Sequence, residues 1–123
     1  SYMFYRADAF NQPLNHWDVS SVTTLSYMFY RAVDFNQPLD AWDVSRVTTM
    51  ERMFRSASAF NQPLNDWNVS SVTTMSYMFY CYYLATCDFN QPLNEWDVSN
   101  VTTMSYMFYS ANAFNQDLGW CLS

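Results

Sequence analysis

Cys81 and Cys87 bracket the five residues Tyr-Tyr-Leu-Ala-Thr, and a third cysteine, Cys121, stands near the end of the chain. Three cysteines allow three single pairings. The expected one is a Cys81–Cys87 disulfide, because these two frame a four-residue interruption of an otherwise regular pattern. Cys121 would then pair outside this chain, and the alternative is three buried free thiols. A disulfide implies an oxidising, extracellular setting. A second set with chemical potential is the acidic series Asp18, Asp43 and Asp97, with Asn68 in the same register. Paired carboxylates about 5–9 Å apart in a cleft perform glycoside cleavage, and oxygen ligands of this kind suit calcium. One carboxylate per repeat supplies few ligands and sits on an open face, so the series reads as a solvated or backbone-bonding row. The single histidine, His16, has no recurring cysteine or acid beside it to form a nucleophile–base pair. The expectation is a non-enzymatic chain with no catalytic, cofactor or metal site. The eight methionines fall at fixed, core-facing positions and read as packing residues.

What must position these residues is a repeat. Phe-Asn-Gln begins at Phe10, Phe35, Phe60, Phe89 and Phe114, at steps of 25, 25, 29 and 25 residues. Each block continues Pro-Leu-x-x-Trp-Asp/Asn-Val-Ser-x-Val-Thr-Thr-Leu/Met-x-x-Met-Phe, with Asp117 in place of the last proline and Trp120 one residue early. The chain divides into a half coil 1–9, coils 10–34, 35–59, 60–88 (carrying the four-residue insertion) and 89–113, and a terminal half coil 114–123. Trp17 and Val19, two apart, predict a short strand. Val22, Leu25, Met28, Phe29 and Ala32, spaced by threes and fours, predict a short amphipathic helix, with Ser20 as its N-cap and Pro38 in the turn that follows. Neither element buries its apolar face alone, so copies must stack. The predicted fold is an α/β repeat solenoid, with one short parallel strand and one short helix per 25-residue coil in a single curved stack.

On that helix the tyrosines oppose the core. Tyr2, Tyr5, Tyr27, Tyr30, Tyr77, Tyr80, Tyr106 and Tyr109 are expected to form two exposed convex rows, broken by Arg52 and Arg55, with Tyr82 and Tyr83 of the insertion nearby. Contiguous exposed aromatics mark interaction surfaces. The predicted concave face carries His16, Asp18, Asp43, Asp66, Asn68, Glu95 and Asp97. Asn11, Asn36, Asn61, Asn90 and Asn115 are expected to bond neighbouring coils in a ladder. Asn68-Val69-Ser70 and Asn100-Val101-Thr102 match the N-glycosylation pattern, Asn100 being the better candidate.

Five Lys+Arg against eleven Asp+Glu give a net charge of −6. That balance argues against nucleic acid or an anionic membrane as partner, and no apolar run approaches the roughly 20 residues of a membrane span. One glycine, Gly119, excludes glycine-rich phosphate loops. The long motif, covering essentially the whole chain, resembles the repeat of about 25 residues found in bacterial surface proteins and lipoproteins and in related proteins of microbial eukaryotes. The resemblance implies a leucine-rich-repeat-like solenoid on secreted or surface-anchored proteins that serve adhesion or binding, and it transfers no catalytic residue. The functional expectation is an extracellular or cell-surface module for a protein or glycan surface, including copies of itself. The alternative is a structural subunit of an extracellular filament that stacks head to tail through its open ends.

Overall fold

In the computed structural model, which describes residues 3–82 and 84–120, each coil is a series of four-residue turns with apolar corners. In coil 10–34 the corner N–H groups donate three residues back: Trp17 to Leu14, Val22 to Val19, Met28 to Leu25, Ala32 to Phe29 and Phe35 to Ala32, at 2.9–3.3 Å. The side chains at the corners point in and those between them point out. In coil 35–59 the whole corner set is buried, from Leu39, Trp42, Val44 and Val47 to Met50, Met53, Phe54 and Ala57.

Turns leave alternate N–H groups unpaired, and these join the coils. Leu25, Tyr27, Phe29 and Arg31 donate forward to the carbonyls of Thr49, Glu51, Met53 and Arg55, while Thr48 and Ala59 donate back to Thr23 and Val33. Stacking aligns identical residues. Phe4, Phe29, Phe54, Phe79 and Phe108 form one column of near-parallel rings at 5.5–5.6 Å. Phe10, Phe35, Phe60, Phe89 and Phe114 form a second at 5.9–6.0 Å. Each tryptophan indole donates to the leucine carbonyl of the coil before, Trp42 to Leu14, Trp67 to Leu39 and Trp96 to Leu64, at 2.8–2.9 Å. The asparagine ladder forms as well: the Asn11 carboxamide oxygen accepts from the Asn36 N–H at 2.9 Å and from Gln37 Nε2 at 3.0 Å, and Asn36, Asn61 and Asn90 repeat the arrangement. These amides are half-buried or exposed rather than fully buried.

The α/β solenoid is overturned. Among the described residues there is no helix, and the extended pairing is confined to the parallel bridges Thr24–Thr49, Thr49–Thr74 and Thr74–Thr103. The strand expected at Trp17–Val19 is absent, and the bridges fall inside the segment read as helix. With helix and strand gone, the leucine-rich-repeat likeness fails, and with it the curved stack of strands and helices expected from the sequence. The physical reason is that two successive four-residue turns, 25–28 and 29–32, bury Leu25, Met28, Phe29 and Ala32, the same spacing a helix would bury. Positive φ at Tyr27 (64°) and Arg31 (55°), the third residues of these turns, is the signature of type II geometry and is incompatible with a right-handed helix. Ser20 caps no helix; its hydroxyl donates to Asp18 at 2.6 Å.

The two departures from the repeat have local causes. In coil 60–88 the buried alanine of Ala32 and Ala57 is replaced by Tyr82, too large for that corner, and the corner bond is not made. The Tyr82 N–H donates instead to the Oγ of buried Ser56 at 2.9 Å. The chain leaves the stack after Cys81, whose N–H still reaches the Tyr109 carbonyl, and rejoins at Asp88, which donates to Ser58. A Cys81–Cys87 disulfide closes the base of this excursion, and Cys87 lines the same small hollow as Ala57 and Ala111. In the terminal half coil Asp117 Oδ1 accepts from the Gly119 N–H, and Gly119 takes a positive φ of 64°. This shorter path brings Trp120, one residue early, to the same bond, its indole donating to Leu93 at 3.0 Å. Cys121 lies outside the described residues.

Candidate functional site

The turns 25–28 and 29–32 project their middle residues away from the core, and the 25-residue register lines these up from coil to coil. One row runs Tyr27, Arg52, Tyr77, Tyr106, and the next Tyr5, Tyr30, Arg55, Tyr80, Tyr109. The arginines do not break the rows; they continue them. The Arg52 guanidinium lies 5.5 Å from the Tyr27 ring centre and 4.4 Å from that of Tyr77, while Arg55 lies 5.3 Å from Tyr30 and 4.5 Å from Tyr80. These are cation–π separations. Beyond them Tyr77 stacks on Tyr106 and Tyr80 on Tyr109, both at 5.2 Å, and at the other end Tyr5 stacks on Tyr30 at 4.8 Å. Arg52 also donates to the Tyr27 hydroxyl and pairs with Glu51 at 3.0 Å, and Arg55 donates to the Tyr30 hydroxyl at 3.3 Å.

Exposure along the rows is uneven for this reason. Tyr27, Tyr30, Tyr77 and Tyr80 are half-buried by neighbours on their ring faces, whereas Tyr5, Tyr106 and Tyr109 are 41%, 56% and 52% exposed. Tyr82 and Leu84 of the disulfide-closed excursion are exposed as well. Tyr2 and Tyr83 lie outside the described residues. Beside the rings runs a third line, Arg6, Arg31, Ser56 and Ser110, all at positive φ; Arg6 and Arg31 are exposed. Sequence reasoning saw the tyrosines but not that arginine substitutes for tyrosine within the stack. The signal was present in the register, since Arg52 and Arg55 occupy the positions of Tyr27 and Tyr30.

The residues assigned to a concave sheet face lie on turns, because no sheet forms there. His16, Asp18, Asp43, Asp66, Asn68, Glu95 and Asp97 are all exposed. The three aspartates of the row are engaged locally. Asp18 accepts from the Ser20 hydroxyl at 2.6 Å and its N–H at 3.0 Å, Asp43 does the same with Ser45, and Asn68 does it with Ser70. The serine hydroxyl first, and the backbone N–H second, hold the carboxyls of Asp18, Asp43 and Asp97 below the ordinary aspartate value. Asp43 also feels Arg46, which lowers it further, and Asp18, which opposes. Among the described residues no group of three or more His, Cys, Asp and Glu side chains is placed to hold a metal ion. Of the glycosylation candidates, Asn100 is exposed and its Nδ2 donates to the Ser70 carbonyl at 2.7 Å, while the exposed Asn68 uses its oxygen for Ser70.

Among the described residues no helix is long and apolar enough to cross a membrane. No curated protein and no solved structure matches the chain. Residues 1–84 and 82–122, between them nearly the whole chain, each match the family described as "Mycoplasma protein of unknown function, DUF285". The chain belongs to that family, whose function its description leaves open.

Proposed function

We propose that the chain is a non-enzymatic extracellular or cell-surface module, of the kind carried by bacterial surface proteins and lipoproteins, that binds a protein or glycan surface on its tyrosine–arginine face. The observation that carries this reading is the pair of ordered rows ending in the exposed rings of Tyr106 and Tyr109, with the exposed Tyr82 and Leu84 on the neighbouring excursion. Rings held by their neighbours lose little freedom on contact, and tyrosine offers both an apolar face and a hydroxyl. The disulfide supports an extracellular setting. The local engagement of the aspartate row supports a structural rather than catalytic role for those acids.

The test is a Tyr106→Ser, Tyr109→Ser variant assayed on immobilised glycans and on intact cell surfaces beside the unaltered chain. Both rings lie on the outermost described coil and are more than half exposed, so the thermal melt should be little changed while binding falls at least about tenfold, as for loss of two interface aromatics. Equal binding by the two proteins rejects the reading.

A further inference from the structure

The two ends of the stack expose apolar surface of the kind its interior buries. Partly buried side chains pack against the core in two groups: Phe4, Phe10, Trp17 and Val22 at the first end, and Val101, Met104, Phe108, Phe114, Leu118 and Trp120 at the last. Their counterparts within the stack, such as Trp42, Val47, Met50 and Phe54, are buried. Each end carries an open groove, lined at the first by Met3, Trp17, Val22, Leu25 and Met28 and at the last by Met104, Met107, Phe108, Leu118 and Trp120.

The polar groups of the two ends match as donor and acceptor. Within the chain, coils are joined by a recurring set of bonds: the Phe29 N–H to Met53, the Ala59 N–H to Val33, the Trp42 indole to Leu14, and the Asn36 N–H and Gln37 Nε2 to Asn11 Oδ1. Among the described residues the first end leaves five members of this set unused: the N–H groups of Ala9 and Asn11, Gln12 Nε2, the Trp17 indole and the Met3 carbonyl. The last end leaves their complements: the Phe108 N–H, the Asn112 carbonyl, Asn115 Oδ1, and a Leu118 carbonyl that carries no indole.

We infer that a second copy of this chain docks its first end on the last end of its neighbour and continues the stack. The contact is the coil-to-coil interface of the interior, carried from one copy to the next. Phe108 of one copy meets Met3 and Phe4 of the next, Phe114 meets Phe10, Leu118 accepts the Trp17 indole, and Asn115 accepts Asn11 and Gln12. The ring columns then run on at their interior spacings of 5.5 and 6.0 Å. Residues 114–120 of one copy and 3–9 of the next share a layer, in which the described residues supply no counterpart of the corner pair Val22 and Leu25. The seam is therefore weaker than an interior contact, and the association is reversible. It is also heterologous, so it does not close on itself and grows into fibres one stack wide. None of this depends on the proposed binding role of the tyrosine–arginine face.

Sedimentation velocity and electron microscopy test this with two chains, each blocked at one end. One carries Gln12→Ala and Val22→Glu, which remove a ladder donor and put a carboxylate in the groove of the first end. The other carries Asn115→Ala and Met104→Glu, which do the same at the last end. All four positions are exposed or half-buried, and thermal melts check that each variant folds. If a double variant does not fold, Gln12→Ala or Asn115→Ala alone carries the test, read as shorter oligomers. The unaltered chain should form oligomers that lengthen with concentration and persist from about 50 to about 500 mM salt, because screening leaves an apolar, hydrogen-bonded seam intact. Each blocked chain alone should be monomeric. An equimolar mixture should form a dimer and stop there, since only one pair of intact ends remains. An unaltered chain that stays monomeric overturns the inference, as does a mixture that stays monomeric. A blocked chain that dimerises by itself reveals a contact between like ends, and one that still forms fibres reveals a lateral contact; either result overturns it too.

Discussion

Asn61 and Asn115 have the same residue type and the same place in the motif, and the structure gives them different energetic weight. The Asn61 carboxamide oxygen accepts two bonds from the next coil, from the Asn90 N–H at 2.9 Å and from Gln91 Nε2 at 3.0 Å. The Asn115 N–H completes the ladder by donating to Asn90, but its side chain accepts no bond among the described residues. In Asn61→Ala both acceptor bonds vanish, while the N–H of the exposed Asn90 can turn to water. At about 1 kcal/mol per bond the expected loss is about 2 kcal/mol. For a domain of this size that is a fall in melting temperature of about 6–8 °C. Asn115→Ala keeps its backbone N–H and should stay within about 0.5 kcal/mol. Urea and thermal unfolding followed by near-ultraviolet circular dichroism measure both, since the tryptophan and tyrosine stacks report on packing. Equal effects in the two variants would refute the ladder as a source of stability.

Other outcomes follow from the same geometry. Arg31→Gly, at an exposed residue with φ of 55°, should raise stability by about 0.5–1 kcal/mol by relieving left-handed strain, whereas Ser56→Gly at φ of 57° should lower it, because buried Ser56 accepts the Tyr82 N–H; unfolding curves compare them. Replacing both Cys81 and Cys87 by alanine removes a cross-link six residues long and should cost about 2 kcal/mol, with faster proteolysis in the 82–86 excursion read by mass spectrometry. Because bonded serines lower the pKa of Asp18, Asp43 and Asp97 in the folded state, their contribution is present above the unfolded aspartate value and is lost as pH falls through the folded one. A triple Asp→Asn variant, imitating Asn68, should therefore flatten the fall in stability below about pH 4, measured by melting temperature against pH.

The 25-residue register, the buried set and the asparagine ladder were legible in the sequence because they depend on which residues recur, and recurrence is visible without knowing the path of the chain. The path itself was not. Spacings of three, one and three at Leu25, Met28, Phe29 and Ala32 satisfy both a helix and a pair of abutting turns. The choice is made by bonds between coils, which a single coil's pattern does not display. One local signal pointed to turns. Asp18-x-Ser20, Asp43-x-Ser45 and Asp97-x-Ser99 are the side-chain-to-backbone arrangement of an Asx turn, read instead as a helix cap. The coil spacing that excludes helices is visible only in the structure: phenylalanine rings repeating at 5.5–5.6 Å require coils closer than the 8–10 Å at which helices pack.

The arginine substitution allows the tyrosine face to be argued through as a stack rather than a set of independent side chains. Arg52 lies between Tyr27 and Tyr77 and is bonded to the Tyr27 hydroxyl and to Glu51. If the row is held by face-to-face continuity, Arg52→Tyr replaces one flat group by another of the type found at the same position in coils 10–34, 60–88 and 89–113. It should then be nearly neutral, within about 0.5 kcal/mol. Arg52→Ala opens a gap in the row and should cost about 3 kcal/mol, from two cation–π contacts at about 0.5–1 kcal/mol each and one charged hydrogen bond at about 1.5 kcal/mol. If the Glu51 ion pair were what mattered, Arg52→Tyr would be as damaging as Arg52→Ala, and Glu51→Gln would match both. Chemical unfolding of the three variants separates the two accounts, and continuity predicts a small effect for Glu51→Gln because a partly exposed ion pair contributes less than about 1 kcal/mol.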